Sequence, residues 1–434
     1  MTNDRPKSDG FDTRYHKLKT EIHKRVIEAL DLSKINRWDQ QRIRREVRQL
    51  AAQLSASSQE LLSEVEREQL TEEVLSEVFG LGPLDPLMTD PTITDVLVNG
   101  PQSVYVERNG RLELTNVRFY DNAHLLQVIQ RVAARVGRRA DESSPMVDAR
   151  LEDGSRVNAI IPPLALNGPV LSIRRFGVRL GGEQLLGNRT MPPEMLHLLK
   201  AAVESRVSIL ISGGTGSGKT TLLNALSAFV PGEERLITIE DSAELKLRQK
   251  HVVALETRSA NVEGSGEVRQ RELVRNALRM RPDRIIVGEV RGAEALDMLQ
   301  ALNTGHEGSM TTIHANDTRD ALTRLEMMVM LAGYELPVPV IRYYITTAIT
   351  LVVQLSRLKG GKRKVMRVSE VVGTDPAPYD IRDVFGYRQL GVRDGAAFGE
   401  FYSTGYRPKL LDKLRAAGVE VSDDLFRERA WADI

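Results

Sequence analysis

The chain has 434 residues, which is too long for one ordinary domain, so we expect two domains and an appendage. Its 60 Lys and Arg against 59 Asp and Glu leave a formal charge of +1, which gives no electrostatic footprint for nucleic acid. The absence of Cys excludes disulfides, cysteine nucleophiles and thiolate zinc sites. No segment approaches the roughly 18 consecutive apolar residues that span a bilayer, and the start MTNDRPKSDG lacks the apolar core of a signal peptide. These features predict a chain that stays in the cytosol.

Residues 1–75 are predicted to form a helical extension. From residue 13 to about 80 the chain has almost no Gly or Pro and places apolar residues at helical spacing. The periodic positions are Ile22, Val26, Ala29, Leu30, Val47, Leu50, Ala51 and Leu54. We expect a small bundle of three helices.

Residues 76–177 are predicted to form a smaller α+β domain. Short β-type runs, TDVLVNG, SVYVERNG, RLELT, SRVNAIIP and PVLSIRRF, surround one helical pattern, NAHLLQVIQRVAARVG. The Gly-rich stretch that follows, residues 178–191, is interpreted as a linker.

Residues 192–434 are predicted to form an α/β domain with a carboxyl-terminal extension. Pro192 and Pro193 open a helix that runs to about Ser205, because proline fits the first helical turn. Apolar strand patterns then alternate with helices: VSILIS, LITIE, DRIIVGE and SMTTIHA, followed by the helix RDALTRLEMMVMLAG. This alternation predicts a mostly parallel sheet covered on both faces. The runs LVVQLSRL and KVMRVSEVVG are predicted to extend it as an antiparallel hairpin.

A phosphate-binding loop is predicted from ISGGTGSGKT, residues 211–220, which completes G-x-x-x-x-G-K-[ST] between a strand and a helix. The glycines let successive N–H groups point at phosphate oxygens. We expect Lys219 to reach the β- and γ-phosphates of ATP and the Thr220 hydroxyl to bind Mg²⁺. The alternative is a Gly-rich turn without function. The candidate nucleotide-binding residues of the loop are Gly213, Gly214, Thr215, Gly216, Ser217, Gly218, Lys219, Thr220 and Thr221.

Hydrolysis needs carboxylates near the metal and the attacking water. The strand RIIVGE ends in Gly288-Glu289, so a Gly replaces the usual metal-binding Asp. Glu289 is left to orient or deprotonate water and, with Thr220, to serve the metal. Glu240, Asp241 and Glu244 follow another strand, at the sheet edge where ligands bind. Glu240 is a further catalytic candidate, and Asp241 and Glu244 are candidates for binding the nucleotide. Asp241 and Glu244 have the alternative of being charges in the first turn of a helix.

Two histidines, His306 and His314, flank a β-type run in NTGHEGSMTTIHAN. No third ligand lies at metal spacing, which argues against zinc. A sensor role at the γ-phosphate or at a subunit boundary fits the sheet-edge position better.

The ordered motifs resemble those of the secretion-superfamily ATPases, the motors of type II and type IV secretion and of type IV pili. The resemblance rests on the phosphate loop, ITIEDSAEL, and RPDRIIVGEVRGAEALDML followed by TGHEGSMTTIHAN. Within that family, these stretches and the closing SEVVG are most similar to the tight-adherence (Tad or Flp) pilus motor of the CpaF type. The match covers roughly residues 75 to 375.

The resemblance implies a cytoplasmic homohexameric ring whose subunits pair a PAS-like amino-terminal domain with a RecA-like ATPase domain. ATP would lie at the junction, and polytopic inner-membrane platform proteins would be the partners. Family members complete the site with arginines of the amino-terminal domain, for which Arg156, Arg174 and Arg175 are the candidates here. Neighbours on a strand face opposite ways, so one of Arg174 and Arg175 is expected to be a solvated strand arginine. Arg291 is expected to pair with a carboxylate and orient it.

Three other functions remain open from the sequence. An effector-exporting type IV secretion ATPase shares the same motifs. A RecA-like nucleic-acid motor is disfavoured by the net charge and by the 5% aromatic content. Its best basic patch, RLKGGKRKVMR at residues 357–367, is interpreted as a solvated hairpin. A non-hydrolysing, nucleotide-gated scaffold is the third, although Lys219, Thr220 and Glu289 are all present.

Overall fold

The computed structural model describes residues 18–19, 21–23, 25–26, 40–58, 62–108, 110–175, 181–258, 265–374 and 378–432. The chain divides into two compact units, Met1–Gly177 and Val178–Ile434. Each unit has its own hydrophobic cores. None of the helices in the described ranges combines the length and apolar character needed to cross a bilayer.

The first unit begins with the predicted helical bundle. Residues 18–19, 21–23 and 25–26 are helical, and α1 (Gln40–Ala56) and α2 (Glu64–Phe79) follow. Helix α2 starts at a capping box, in which Ser63 and Glu66 satisfy each other's backbone N–H groups. The buried side chains that hold the bundle together are Ile22, Val26, Val47, Ala51, Leu62, Leu70, Val74 and Leu75. Of the periodic positions expected from the sequence, Ala29 and Leu30 lie outside the described residues.

A six-stranded antiparallel sheet forms the rest of the first unit, in the order β3-β2-β1-β6-β5-β4. The strands are β1 Ile93–Asn99, β2 Val104–Arg108, β3 Arg111–Leu114, β4 Met146–Arg150, β5 Arg156–Ile160 and β6 Val170–Arg174. Helix α4 (Asn122–Arg135) shares one core with the inward-facing residues of the sheet, and the short α3 (Asp85–Thr89) precedes β1. The α+β prediction is confirmed. Strand β4 was not expected from the sequence.

The second unit contains a ten-stranded sheet in the order β16-β15-β14-β13-β12-β7-β11-β10-β8-β9. The strands are β7 Ile209–Gly213, β8 Leu236–Glu240, β9 Val252–Glu256, β10 Arg284–Val290, β11 Met310–Ile313, β12 Leu351–Arg357, β13 Arg363–Gly373, β14 Asp380–Arg393, β15 Ala396–Ser403 and β16 Arg429–Ala432. From β12 to β9 all neighbours pair in parallel, and from β12 to β16 they pair antiparallel. The predicted parallel sheet and its hairpin extension are therefore confirmed.

Helices cover both faces of this sheet, and the buried residues form one core on each face. The helices are α5 Gly182–Gly187, α6 Pro193–Glu204, α7 Lys219–Ser227, α8 Gln270–Ala277, α9 Glu294–Asn303, α10 Thr318–Leu331, α11 Val338–Ala348 and α12 Leu411–Ala416. Part of the segment interpreted as a linker, Gly182–Gly187, forms helix α5. Leu185 and Met191 are buried in the core of the second unit, because apolar side chains gain by leaving water.

Candidate functional site

The phosphate loop connects the fully buried strand β7 to helix α7 at the carboxyl edge of the parallel sheet. Gly216 and Gly218 have φ values of +68° and +101°, a region that other residues rarely adopt. The loop can therefore curl and place its N–H groups at the start of a nine-residue helix. The predicted strand, loop and helix are all present.

The side chains of the loop are arranged around its backbone. Lys219 is half-buried, and its Nζ donates to the carbonyl oxygens of Gly213 at 2.9 Å and Gly214 at 3.2 Å. Thr220 and Thr221 are half-buried at the first turn of α7, and Thr215 is exposed.

Two buried hydroxyls at the loop, those of Ser212 and Ser217, have no hydrogen-bond partner among the residues that the structure describes. A buried hydroxyl without a partner costs free energy, so such an atom points to a polar group that completes the site. The N–H groups of the loop, Ser217, Lys219 and Thr220 together provide the donors and the metal-binding oxygen that fit a nucleotide phosphate chain with Mg²⁺.

A close contact explains why position 288 is a Gly. A Cβ atom at position 288 would lie 2.8 Å from Cγ of Glu240, which is too close for any side chain. The neighbouring strands β8 and β10 bring these two residues together. Glu240 therefore occupies the space where the usual Asp of this strand would stand.

The Glu240 carboxylate is turned toward the main chain. It accepts the N–H of Glu244 at 2.9 Å and of Leu245 at 3.0 Å, and so orders the segment that follows β8. Burial raises the pKa of Glu240 to about 7, although these two N–H groups pull it down. A group that titrates near neutral pH can exchange protons, and its predicted catalytic role stays a prediction.

Arg291 links two of the predicted carboxylates. It donates to Oε2 of Glu289 at 2.7 Å and to Oδ2 of Asp241 at 3.3 Å. Glu289 is mostly buried, and its backbone oxygen accepts from the side chain of Gln270 at 3.0 Å. The predicted pairing of Arg291 with a carboxylate is present, and it fixes the orientation of Glu289.

No helix follows β8 in the described residues, so the interpretation of Asp241 and Glu244 as first-turn charges of a helix is wrong. Residues 243–249 have no regular structure and lead to β9. Asp241 is exposed and pairs with Arg291, and Glu244 donates its N–H to Glu240. The carboxylate of Glu240 satisfies the N–H groups that a helix would otherwise have used.

The two histidines lie at opposite ends of β11. His314 follows the strand at the carboxyl edge, where Ile313 is in register with Ser212 just before the phosphate loop. His306 precedes the strand, and its N–H and ring nitrogen both contact the carbonyl oxygen of Ala301. The expectation of a γ-phosphate contact is therefore corrected for His306, because β11 separates it from the phosphate loop. The alternative role of His306 at a subunit boundary stays a prediction. In the part of the chain that is described, no group of three or more His, Asp or Glu side chains is placed to hold a metal ion.

Two of the three predicted arginines of the first unit, Arg156 and Arg174, lie on the face of its sheet that is turned away from the core. Arg156 on β5 is directly opposite Arg174 on β6, so both side chains leave the sheet on the same face. Arg150 on β4 continues this row opposite Arg156. Arg175 instead donates to the carbonyl oxygens of Ile93 at 3.0 Å and of Asp90. Arg174 is thus the exposed member of the adjacent pair, and Arg175 braces the chain before β1.

Three functional candidates were missed by the sequence reasoning. Arg150 needs the register of β4, which was not predicted. Gln354 is buried in β12, and its Nε2 donates to Asn316 O at 3.0 Å and Ala315 O at 3.3 Å, which holds the backbone after His314. Its signal was a polar residue inside the apolar run LVVQLSRL. Arg357 was assigned to a solvated hairpin, yet it lies beside the phosphate loop.

Comparisons with known proteins agree on one family. Residues 77–380 match the family described as type II/IV secretion system protein. A Mycobacterium tuberculosis protein named "Putative conjugal transfer protein" is 40% identical over 301 residues, covering 68% of this chain and 85% of the relative. The conjugal transfer protein TrbB of Rhizobium radiobacter is 35% identical over 291 residues, covering 66% and 86%.

Among solved structures, the VirB11 ATPase from the Brucella suis type IV secretion system, in complex with sulphate, is 32% identical with a TM-score of 0.36. The matched region covers 68% of this chain and 97% of that one. The family match extends from the end of α2 to the start of β14 and includes the phosphate loop, Glu240, Glu289 and both histidines. The chain therefore belongs to the type II/IV secretion system protein family.

Proposed function

We propose that this protein is an ATP-hydrolysing motor whose work is done on membrane-bound partners. The observation that carries the proposal is the phosphate loop, with Lys219 and Thr220 in place and Glu289 oriented by Arg291 at the same sheet edge. A scaffold that only binds nucleotide would not need an oriented carboxylate beside the loop.

The proposed reaction is the attack of water on the γ-phosphorus of ATP. The bond between the γ-phosphorus and the bridging oxygen breaks, ADP leaves with that oxygen, one proton of the water passes to Glu289, and inorganic phosphate is the second product. Lys219 and the loop N–H groups hold the phosphates, and Thr220 is the residue that would bind Mg²⁺. Bound Mg²⁺ would neutralise charge on the phosphate oxygens.

We further propose that arginines of the first unit complete the site. The row Arg150, Arg156 and Arg174 supplies guanidinium groups that suit the charge that spreads over a γ-phosphate. An arginine delivered by one domain to another makes hydrolysis depend on domain closure. The proposed organisation is residues 1–75, 76–177 and 192–434 as three domains in a homohexameric ring.

The finer proposal is a motor of Tad/Flp-type pilus assembly that acts at the inner membrane through platform proteins. It is supported by the sequence motifs from the phosphate loop to SEVVG. The second candidate is a type IV secretion or conjugation ATPase, which the names of the relatives TrbB and VirB11 favour. Capture of membrane proteins by the tagged chain in its native host separates them. A pilus platform protein supports the first candidate, and a conjugation channel component supports the second.

The activity itself is tested by steady-state hydrolysis against protein concentration, with oligomer mass measured on the same samples. We expect specific activity to rise as the ring forms. Lys219→Ala should abolish it, and Arg156→Ala should reduce it by about 10³-fold or more, as for other arginines that act at a γ-phosphate.

Glu289→Gln should bind ATP yet hydrolyse it at least about 10²-fold more slowly, because the amide cannot accept the proton. Near-normal turnover by this variant would remove Glu289 from its assigned role. If the monomer hydrolysed ATP at the full rate and Arg156→Ala had no effect on that rate, the ring mechanism would be rejected.

A further inference from the structure

The hairpin of β12 and β13 lies next to the phosphate loop. Strand β12 pairs in parallel with β7, and Leu355 is in register with Gly213, the first residue of the loop. Ser356 and Arg357, the last two residues of β12, therefore lie beside the phosphate loop. Arg357 ends β12, and Arg363, directly opposite it, begins β13.

Both arginines contact the loop. A Cβ atom at Gly216 would lie 3.4 Å from Nη1 of Arg357, and one at Gly218 would lie 3.4 Å from Cδ of Arg363. The Nε–H of Arg363 donates to the carbonyl oxygen of Gly216 at 2.9 Å. We call Arg357 and Arg363 the hairpin pair.

The hairpin pair concentrates positive charge at the phosphate loop. Two guanidinium groups at directly opposed strand positions repel each other, and Lys219 adds a third cation to the same loop. The loop N–H groups contribute further positive potential at the start of α7. A polyphosphate chain supplies negative charge to all of these groups together.

A purely solvated hairpin does not account for these contacts. All four cations of the turn, Lys359, Lys362 and the hairpin pair, are exposed, but the hairpin pair also lies beside glycines of the loop. The hydrogen bond from Arg363 to Gly216 also fixes a loop residue whose φ is positive, which keeps the loop open for phosphate.

We propose that Arg357 and Arg363 form a cationic wall of the nucleotide site that binds the phosphate chain. Arg357 contacts the phosphates, and Arg363 is a positioning residue that holds Gly216. The inference rests on the proposed nucleotide-binding function and adds to it a contribution from outside the contiguous motif.

The test is equilibrium binding of ADP and of tripolyphosphate to the full chain, each followed by calorimetric titration. Arg357→Gln should weaken both ligands by about tenfold, the effect of losing one charge-assisted hydrogen bond. Arg357→Lys should recover part of the loss, because it restores the charge. Arg363→Gln should weaken both ligands as well, and Arg363→Lys should restore less than Arg357→Lys, because it lacks the planar fork that reaches Gly216.

Lys362→Gln is the matched control, since it removes the same charge next to Arg363 on an exposed side chain, and it should stay within about twofold of the parent. An equal loss of affinity in Lys362→Gln would show that any positive charge near the loop has the same effect, and it would overturn the proposal. So would unchanged tripolyphosphate binding in Arg357→Gln, which would place that residue at the base or nowhere near the ligand.

Failure of the proposed function has a different signature. Binding of ADP that Lys219→Ala does not weaken would reject the nucleotide site itself. Binding that depends on Lys219 but not on Arg357 would reject only the cationic wall. Tight binding without hydrolysis would reject the motor and leave the wall in place.

Discussion

A single contact shows how the site departs from the common pattern of phosphate-loop proteins. Glu240 on β8 lies against Gly288 on β10, so a buried acid stands beside the position where a Gly replaces the usual Asp. The side chain of Glu240 is 3% exposed, and the loss of hydration on burial destabilises its charged form and so raises its pKa. The burial that fits Glu240 against Gly288 is therefore also the reason why the Glu240 carboxyl titrates near neutral pH.

Stability should depend on pH through Glu240. Its pKa is raised to about 7 in the folded chain from 4.5, so the folded state favours the protonated acid. The stabilisation from this group is fully present below about pH 4.5 and is lost as the pH rises toward 7. The loss is on the order of 3 kcal/mol.

Glu240→Gln should remove this dependence, because the amide oxygen can still accept from Glu244 and Leu245 but does not ionise. In urea unfolding between pH 5 and pH 8, the free energy of unfolding of the variant should increase relative to that of the parent as the pH rises. Glu233→Gln, which removes a carboxylate at an exposed position, is the control. Parallel pH curves for the parent and Glu240→Gln would contradict the buried-acid explanation.

At the scale of elements, Arg284 joins four parts of the second unit at the amino edge of the sheet. It is fully buried at the start of β10 and binds Glu234 with Nε at 2.6 Å and Nη2 at 3.0 Å. It also donates to Val203 O in α6 and to Gly308 O before β11. The arrangement satisfies a buried charge with carbonyl and carboxylate oxygens, as such burial requires.

Arg284→Met should destabilise the second unit by about 3–5 kcal/mol, because it leaves Glu234 buried without its main partner. Thermal unfolding measures the loss. Adding Glu234→Leu should recover part of it, since no charge is then left alone. Arg206 also contacts Glu234, at 3.3 Å, but it is 46% exposed, and Arg206→Ala should cost no more than about 1 kcal/mol. A larger effect of Arg206→Ala than of Arg284→Met would reverse the assignment.

The elements themselves were unequally predictable. Strands flanked by clear turn signals were found, and β8 matches the predicted run LITIE. Strand β9 has a mixed burial pattern, and β14 and β15 carry polar and Gly residues, so their periodicity is weak. These strands are stabilised by pairing with their neighbours in the sheet rather than by a local apolar pattern.

On the scale of the whole molecule, the two units have separate cores, so the second can be studied alone. We expect residues 178–434 to fold and to bind ADP, because the phosphate loop and the hairpin pair both lie within them. Hydrolysis should fall to the level of Arg156→Ala in the full chain, because the arginine row is missing. Circular dichroism, ADP titration and phosphate release measure these three properties. Full hydrolysis by this fragment would show that the first unit adds nothing to the chemistry.

The sequence by itself determined the fold class, the family and the phosphate loop. The loop is readable because its donors come from consecutive residues, so the local chain contains the whole geometry. The tertiary structure decided which distant residues meet there. Strand order places Glu240 over Gly288, Arg291 between Glu289 and Asp241, and the hairpin pair beside Gly216. It also separates His306 from His314, because a strand has two ends and only one of them meets the loop. Such meetings depend on pairing between strands far apart in the chain, which a local pattern does not encode.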